Sequence, residues 1–270
     1  MSDFIIRQAF AEALDLHKRE QFDEAKQIYK KILSVDESNP NANHLISLIY
    51  MVEGKHEDAK KHIEKAIEKE PDQAIFHSNY GALLQAMGKI KDAIRTYKKS
   101  LKIDKKCFQS HYSLGVLYAD RQEFDKAVES YTNALGIEND SPQVHNNLAN
   151  IYSTLNNPKA ELHYQKTINL LPEETYPRLN MSNYLIKQKN FEGSKKILEE
   201  LIHADLATEE VFNNLGITYK GLNNNEKASE MFKEALKLNP KYSLAKKNLE
   251  SLPKLDDGFH LYQSPTTDDD

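Results

Sequence analysis

The sequence lacks a disulfide framework and a surplus of basic residues. Cys107 is the single cysteine in 270 residues, so no intramolecular disulfide can form, and the sequence fits a reducing compartment. Lysine and arginine number 36 against 41 aspartate and glutamate residues, for a formal net charge of −5. Because no basic surplus is present to neutralise phosphates, we do not expect nucleic-acid binding.

Signals for membrane insertion and secretion are also absent from the sequence. The most apolar run, residues 45–52, includes Ser47 and Tyr50 and is far shorter than the roughly 18 residues of a membrane span. The opening MSDFIIRQAF has no basic segment followed by an apolar core, so it does not match a secretory signal. We therefore predict an intracellular, cytoplasmic protein without a membrane span.

A helical hairpin pattern repeats along most of the chain. The clearest copy covers residues 209–242, where two runs of apolar residues recur at the 3–4 spacing of one helical face. These residues are Phe212, Leu215, Gly216, Tyr219 in the first run and Ala228, Phe232, Ala235 in the second. Asn223-Asn224-Asn225 supplies turn residues between the runs, and Pro240 ends the second. One such hairpin cannot bury its apolar face alone, so it must stack on a neighbour.

This pattern resembles the tetratricopeptide repeat, a 34-residue unit with small residues at positions 8 and 20. Gly216 and Ala228 match those positions, Tyr219 and Phe232 match its aromatic positions near 11 and 24, and Pro240 matches its proline at 32. The resemblance implies an all-α fold. We expect a right-handed tetratricopeptide (TPR) superhelix, an α-solenoid, with seven helical hairpins and a C-terminal capping helix.

The predicted organisation has three parts. Residues 1–5 form an N-terminal extension, residues 6–252 form the solenoid, and residues 253–270 form a flexible acidic tail. The repeats are expected at about 6–39, 40–73, 74–107, 108–141, 142–174, 175–208 and 209–242, with the capping helix at 243–252. Within the tail, Phe259, Leu261 and Tyr262 are apolar, which suggests either a short docking motif or simply a disordered end.

Asparagine recurs at position 6 of the repeats, on first helices that face the concave side in the family this chain resembles. The series has spacings of 34, 34, 33, 34 and 34 residues and comprises Asn79, Ser113, Asn147, Asn180, Asn214 and Asn248. Further amides occupy positions 5 and 9, at Asn146, Asn213, Asn150 and Asn183. A carboxamide both donates and accepts hydrogen bonds, so this row could bind the main chain of an extended peptide. Equally, these asparagines could serve only contacts between helices.

Two stretches, FHSNYGA at 76–82 and VHNNLAN at 144–150, resemble the repeat region of O-linked N-acetylglucosamine transferases and their bacterial relatives. The resemblance covers about residues 6–252 and implies that the asparagines hold the backbone of client polypeptides. Only 17 residues follow Pro253. We therefore expect no glycosyltransferase domain, no enzymatic activity and no cofactor.

A second binding mode of the resembled family, a carboxylate clamp, is disfavoured. Asn150 and Asn180 have a suitable spacing for a clamp, but the lysine and arginine partners that would grip a terminal carboxylate are missing. Position 5 of the fifth repeat holds Asn146, and the seventh repeat offers Glu210 and Asn214 instead.

The first two repeats carry apolar residues at inner positions, where the later repeats carry amides. These residues are Phe10, Leu14, Leu45, Leu48, Met51 and Val52. An exposed strip of this kind could dock a hydrophobic helix or another copy of the chain. Alternatively, residues 1–6 could fold over the strip, or the helices could simply pack there.

Metal and thiol chemistry are not predicted. His77, His111 and His145 occupy the same position in successive repeats, and helices packed about 8–10 Å apart hold such residues too far apart to share a zinc ion. We interpret them as packing residues, and Cys107 as a small apolar filler.

The sequence thus predicts a non-catalytic scaffold that binds protein or peptide clients in a concave groove. Two alternatives stay open: a substrate-recruiting subunit of a separately encoded transferase, and a self-assembling structural protein. Neither the client nor the oligomeric state follows from these residues.

Overall fold

The computed structural model of the chain describes residues 3–253, and all regular secondary structure within that range is α-helical. The helices are α1 Asp3–Lys18, α2 Phe22–Val35, α3 Pro40–Val52, α4 His56–Lys69, α5 Ala74–Ala86, α6 Ile90–Ile103, α7 Phe108–Asp120, α8 Phe124–Leu135, α9 Pro142–Thr154, α10 Lys159–Leu170, α11 Thr175–Lys187, α12 Phe191–His203, α13 Glu209–Gly221, α14 Asn225–Leu238 and α15 Ser243–Glu250. The predicted all-α fold of helical hairpins is confirmed.

The chain divides into two compact units between Ile151 and Tyr152, within α9. In the N-terminal unit, α1 pairs with α2, α3 with α4, α5 with α6 and α7 with α8, and each hairpin stacks on the next. In the C-terminal unit, α11 pairs with α12 and α13 with α14, and α15 packs against α14 and α13. The capping helix is therefore present. Its Leu249, and Leu252 just after its end, pack against the apolar cluster around Phe232.

At the N-terminus, the first helix begins before the predicted start of the first repeat at residue 6. Helix α1 begins at Asp3, so residues 3–5 belong to the first helix rather than to an extension. Residues 3–5 are Asp-Phe-Ile and include neither glycine nor proline, so nothing in them prevents the helix from starting at Asp3. The predicted tail beyond Pro253, with its apolar residues Phe259, Leu261 and Tyr262, lies outside the described residues.

Three hairpins bring a glycine of the first helix against an aromatic ring of the second. The pairs are Gly81–Tyr97, Gly115–Tyr131 and Gly216–Phe232. A Cβ atom at these glycines would lie 2.7, 2.5 and 2.5 Å from the nearest ring carbon, which is inside van der Waals contact. The small residue therefore has a steric role, because it makes room for a ring that is itself buried.

The turn inside every hairpin uses one residue in the left-handed region, with φ between 52° and 73°. Glycine or asparagine, which tolerate this conformation, provides it at Gly54, Gly88, Asn156 and Asn223. The remaining turns use Glu20, Gln122 and Lys189, whose Cβ atoms make the conformation less favourable.

A polar side chain at position 4 ties each first helix from α3 to α11 to the loop before it. In every case a side-chain N–H donates to the carbonyl oxygen six residues earlier. The donors are Asn43 to Glu37 (2.9 Å), His77 to Pro71 (2.7 Å), His111 to Lys105 (3.0 Å), His145 to Asn139 (3.0 Å) and Arg178 to Pro172 (2.7 Å). The histidine series thus satisfies loop carbonyls, which agrees with its interpretation as structural.

Candidate functional site: the amide row of the first helices

In the N-terminal unit, the amide of Asn79 is bonded to the preceding repeat. Its Nδ2 donates to Nε2 of His44 over 2.7 Å, so that ring nitrogen is an acceptor and the imidazole is neutral. His44 is buried, and its ring lies 4.7 Å from that of Phe76. Burial, with a smaller contribution from the charge of His17, lowers the pKa of His44 to about 4. The Asn79 contact therefore joins the amide row to a histidine that resists protonation.

The next two members of the row in this unit also bond to the scaffold. Ser113 is buried and accepts a hydrogen bond from Nε2 of Gln109 at 3.1 Å. Asn147 is half-buried and donates from Nδ2 to the hydroxyl of Tyr131, also at 3.1 Å. That hydroxyl belongs to the ring that packs on Gly115, so the bond links the amide row to the core of the preceding hairpin.

In the C-terminal unit, four amides bond to one another in a single chain. Asn248 Nδ2 donates to Asn213 Oδ1 at 2.9 Å, Asn213 Nδ2 to Asn214 Oδ1 at 3.4 Å, and Asn214 Nδ2 to Asn183 Oδ1 at 3.0 Å. We call this series the amide chain. Its two central members are buried, whereas Asn183 at its end is exposed. Hydrogen bonds arranged in series polarise one another, so the chain favours a fixed orientation of all four side chains.

Most of the predicted site residues are therefore engaged within their own unit. Asn146, Asn150 and Asn180 also take part in interactions within the molecule. The structure thus supports the interpretation that this row serves helix contacts, at least for Asn213 and Asn214, whose amide groups are both donating and accepting.

A few polar atoms of the row have no partner among residues 3–253. Asn79, Asn147 and Asn248 use only Nδ2, which leaves each Oδ1 able to accept a hydrogen bond. Asn183 uses only Oδ1, which leaves its Nδ2 able to donate. The available row is consequently shorter than the sequence predicts and consists mainly of acceptors.

The predicted apolar strip is mostly part of the core. Phe10 and Leu45 pack against the first core cluster, Met51 packs against the next, and Leu14 and Leu48 are half-buried. The ring of Phe10 lies 6.0 Å from that of Tyr29. These contacts support the alternative in which the helices pack at the strip. The exception within the strip is Val52 at the end of α3, which is 70% exposed.

The cysteine and the histidines do not assemble a chemical site. Within residues 3–253 no group of three or more histidine, cysteine, aspartate or glutamate side chains is placed to hold a metal ion. Cys107 is half-buried, and its Sγ lies 3.4 Å from the hydroxyl of Ser110, which donates to Ser100. Cys107 thus belongs to a polar cluster, and the prediction of an apolar filler is wrong because Ser110 and Ser100 surround it with hydroxyl groups.

Sequence comparison then settles the family. Models of the tetratricopeptide repeat family match residues 16–83, 76–107, 115–156 and 209–242, which together cover more than half of the chain. The chain is a tetratricopeptide repeat protein. No curated protein matches it. None of the matches points to the O-linked N-acetylglucosamine transferases in particular.

Several solved structures share the fold. The C-terminal part of a TPR repeat-containing protein from Cytophaga hutchinsonii matches with a TM-score of 0.73 and 20% identity, over 89% of this chain and 99% of that one. YrrB, described as a TPR protein with an unusual peptide-binding site, matches with a TM-score of 0.61 and 24% identity, over 70% and 97%. PilF of Pseudomonas aeruginosa matches with a TM-score of 0.62 and 19% identity, over 78% and 96%. At these identities the likeness establishes the fold alone.

The described helices contain no candidate for a membrane span, since none of them is both long and apolar enough to cross a bilayer.

Proposed function

We propose that this tetratricopeptide repeat protein is a non-catalytic scaffold that holds extended polypeptide against its first helices. Tetratricopeptide repeat proteins generally mediate protein–protein interactions, and one structural neighbour, YrrB, is described as having a peptide-binding site. The observation that carries the proposal is a pair of amide oxygens, on Asn79 and Asn147 in the N-terminal unit, that have no partner within residues 3–253 and occupy the same position of different repeats.

The chemistry of these free atoms decides what a guest must supply. An amide oxygen accepts a hydrogen bond, so Oδ1 of Asn79 and Asn147 in the N-terminal unit would take main-chain N–H groups of a guest. In the C-terminal unit, taken by itself, Oδ1 of Asn248 would do the same. Nδ2 of Asn183 would take a main-chain carbonyl. Every residue of an extended guest other than proline offers these main-chain groups, whatever its side chain. This part of the recognition is therefore independent of the guest sequence.

Affinity would have to come from several contacts at once. One hydrogen bond contributes about 0.5–1.5 kcal/mol net. Two or three free amide atoms therefore support only weak binding, and side-chain contacts must add to it. The scaffold bonds on the other side of each amide hold the side chain in place and so reduce the entropy lost on binding.

The experiment uses short overlapping peptides that tile β-casein, an unfolded protein, bound to the full chain. For the peptides that bind, we expect N-methylation of single backbone amides to weaken binding roughly 2- to 10-fold at the contacting positions. The double variant Asn79→Leu/Asn147→Leu is expected to lose the same contacts.

The matched control is Asn133→Leu, which places leucine on the exposed face of α8 away from the row. Helicity and thermal unfolding of all variants are measured in parallel, because Asn79→Leu also removes the partner of His44. Equal binding of the N-methylated peptides, or equal affinity of the double variant and the control, would refute the proposal.

The recruitment of a separately encoded transferase and self-assembly stay predictions from the sequence, since no described contact favours either one.

A further inference from the structure

An open groove in the N-terminal unit lies between the start of α7 and the loop that joins α8 to α9. Its volume is about 620 Å³. The lining residues that matter for its chemistry are Phe108, Gln109, Tyr112, Glu138, Asp140 and Gln143. We call it the acidic–aromatic groove.

Two parallel aromatic rings form one wall of this groove. Phe108 and Tyr112 lie one helical turn apart on α7, with ring centroids separated by 6.1 Å and ring planes only 7° apart. Tyr112 also packs on the buried Tyr131, with centroids 6.0 Å apart, which holds the wall in place. Both wall residues are only half-buried, so they offer flat aromatic surface to a guest.

Two carboxylates stand beside the aromatic wall without a counter-ion. Glu138 and Asp140 are exposed, and neither forms an ion pair or hydrogen bond with another side chain of the described chain. By contrast, Glu123 in the same hairpin is paired with both Arg121 and Lys126. Among residues 3–253 no lysine or arginine lines the groove, so nothing in that range compensates its charge.

Amide groups complete the lining. Gln109 donates from Nε2 to Ser113, and Gln143 accepts through Oε1 from Ser141 at 3.4 Å. Each of these side chains therefore keeps one polar atom, Oε1 of Gln109 and Nε2 of Gln143, for the main chain of a guest.

We propose that the acidic–aromatic groove binds an arginine side chain of a client polypeptide. A planar guanidinium can stack on the faces of Phe108 and Tyr112 while its N–H groups reach the carboxylates of Glu138 and Asp140. The proposal rests on the proposed function, because it assumes a polypeptide guest, and it adds the chemical class of that guest: an extended segment with positive charge.

The charges of the groove favour an arginine side chain over an acidic or an apolar one. An acidic guest would meet two unpaired carboxylates and a chain whose formal net charge is −5. An apolar guest side chain would leave both carboxylates without a partner. Lysine shares the charge of arginine but lacks the flat, forked donor group, so we expect it to bind more weakly.

The test is a titration of the full chain, labelled for NMR, with the peptide acetyl-Ser-Gly-Ser-Arg-Ser-Gly-Ser-amide. Matched peptides carry lysine, glutamate or leucine in place of arginine. We expect the arginine peptide to shift amide signals at residues 108–112 and 138–143 and to bind roughly 5- to 10-fold more tightly than the glutamate and leucine peptides. Its affinity should fall as salt is added.

Two variants probe the two halves of the groove. Glu138→Gln/Asp140→Asn removes the charges without changing shape, and Phe108→Leu removes a ring but keeps an apolar side chain; each should reduce the arginine preference several-fold. The control is Glu129→Gln/Glu161→Gln, which removes two exposed, unpaired carboxylates of second helices. Helicity of each variant is checked by circular dichroism.

The outcomes separate this proposal from the previous one. If all four peptides bind alike, or if the groove variant retains the affinity of the control, the arginine site is wrong while main-chain binding stands. If the arginine peptide binds in the groove but N-methylation and Asn79→Leu/Asn147→Leu have no effect, the amide proposal fails and the groove survives. If neither the tiling peptides nor the four test peptides bind, both proposals are refuted.

Discussion

The two units of this protein use the same contact with different chemistry. In the N-terminal unit, Asn79 donates to His44, and in the C-terminal unit, Asn248 donates to Asn213. Each pair joins position 6 of one repeat to position 5 of the repeat before it, 35 residues earlier in the chain. The acceptor is a titratable ring nitrogen in one unit and an amide oxygen in the other.

This difference shows that the partner at position 5, more than the asparagine itself, determines how the row behaves. His44 ends the hydrogen-bond series, because its ring has no second side-chain hydrogen bond among residues 3–253. Asn213 passes the series on, because its own Nδ2 donates to Asn214. The same asparagine is therefore an isolated cross-link in one unit and part of a buried network in the other.

The largest expected effect of this difference is on acid stability. Unfolded histidine binds a proton below pH 6.5, whereas burial keeps folded His44 neutral to about pH 4. Because the unfolded state binds more protons in this window, stability is lost as pH falls from 6.5 towards 4, by up to on the order of 3 kcal/mol. Hydrogen exchange of α3 amides, compared with α13 amides, measures this loss.

His44→Gln serves as the control for that prediction, because it keeps an acceptor for Asn79 and removes the titration. We expect the α3 amides of this variant to lose stability no faster with acid than those of α13. An unchanged α3 profile in His44→Gln would show that other groups cause the acid sensitivity.

The second effect concerns the amide chain of the C-terminal unit. Asn213→Leu removes an acceptor from Asn248 and a donor from Asn214 in a buried position, and we expect a loss of about 1–3 kcal/mol in the free energy of unfolding. Asn183→Leu, at the exposed end, breaks one bond and should cost less than about 1 kcal/mol. Urea unfolding of both variants measures the difference, and equal losses would mean that the chain does not act as a buried unit.

The smallest expected effect on stability concerns the left-handed residue of the hairpin turns, which can be compared between the two units. Lys189 occupies the left-handed turn position of the C-terminal unit where the N-terminal unit has Gly88. We expect Lys189→Gly to stabilise by up to about 1 kcal/mol and Gly88→Ala to destabilise by about 1 kcal/mol. A Cβ at Gly88 meets no atom within 4 Å, so the change is purely conformational. Thermal unfolding with shifts of the same sign in both variants would contradict this account.

Periodicity in the sequence was sufficient for the fold. The spacing of Gly216, Tyr219, Ala228 and Phe232 predicts two helices in contact, and the structure places a Gly216 Cβ position against the ring of Phe232. The repeat boundary predicted at residue 6 does not coincide with the start of α1 at Asp3, because sequence periodicity does not report where a helix begins.

The candidate site was predicted only in part. The asparagine series could be identified by its spacing, but spacing does not show that Asn79 faces His44 or that Asn213 bonds Asn248. The acidic–aromatic groove was missed, although the i, i+4 pair Phe108 and Tyr112 is a signal that the sequence contains. Its carboxylates lie on a loop 26–32 residues away, so only the folded chain places them beside the rings.

The sequence by itself determined the class of this protein, an all-α stack of helical hairpins, because the periodic positions of small and apolar residues depend only on local helical geometry. The tertiary structure decided which amides stay available and which are consumed. That outcome depends on the groups that neighbouring repeats bring within hydrogen-bond distance, and a repeat pattern specifies the position of a side chain without specifying its partner.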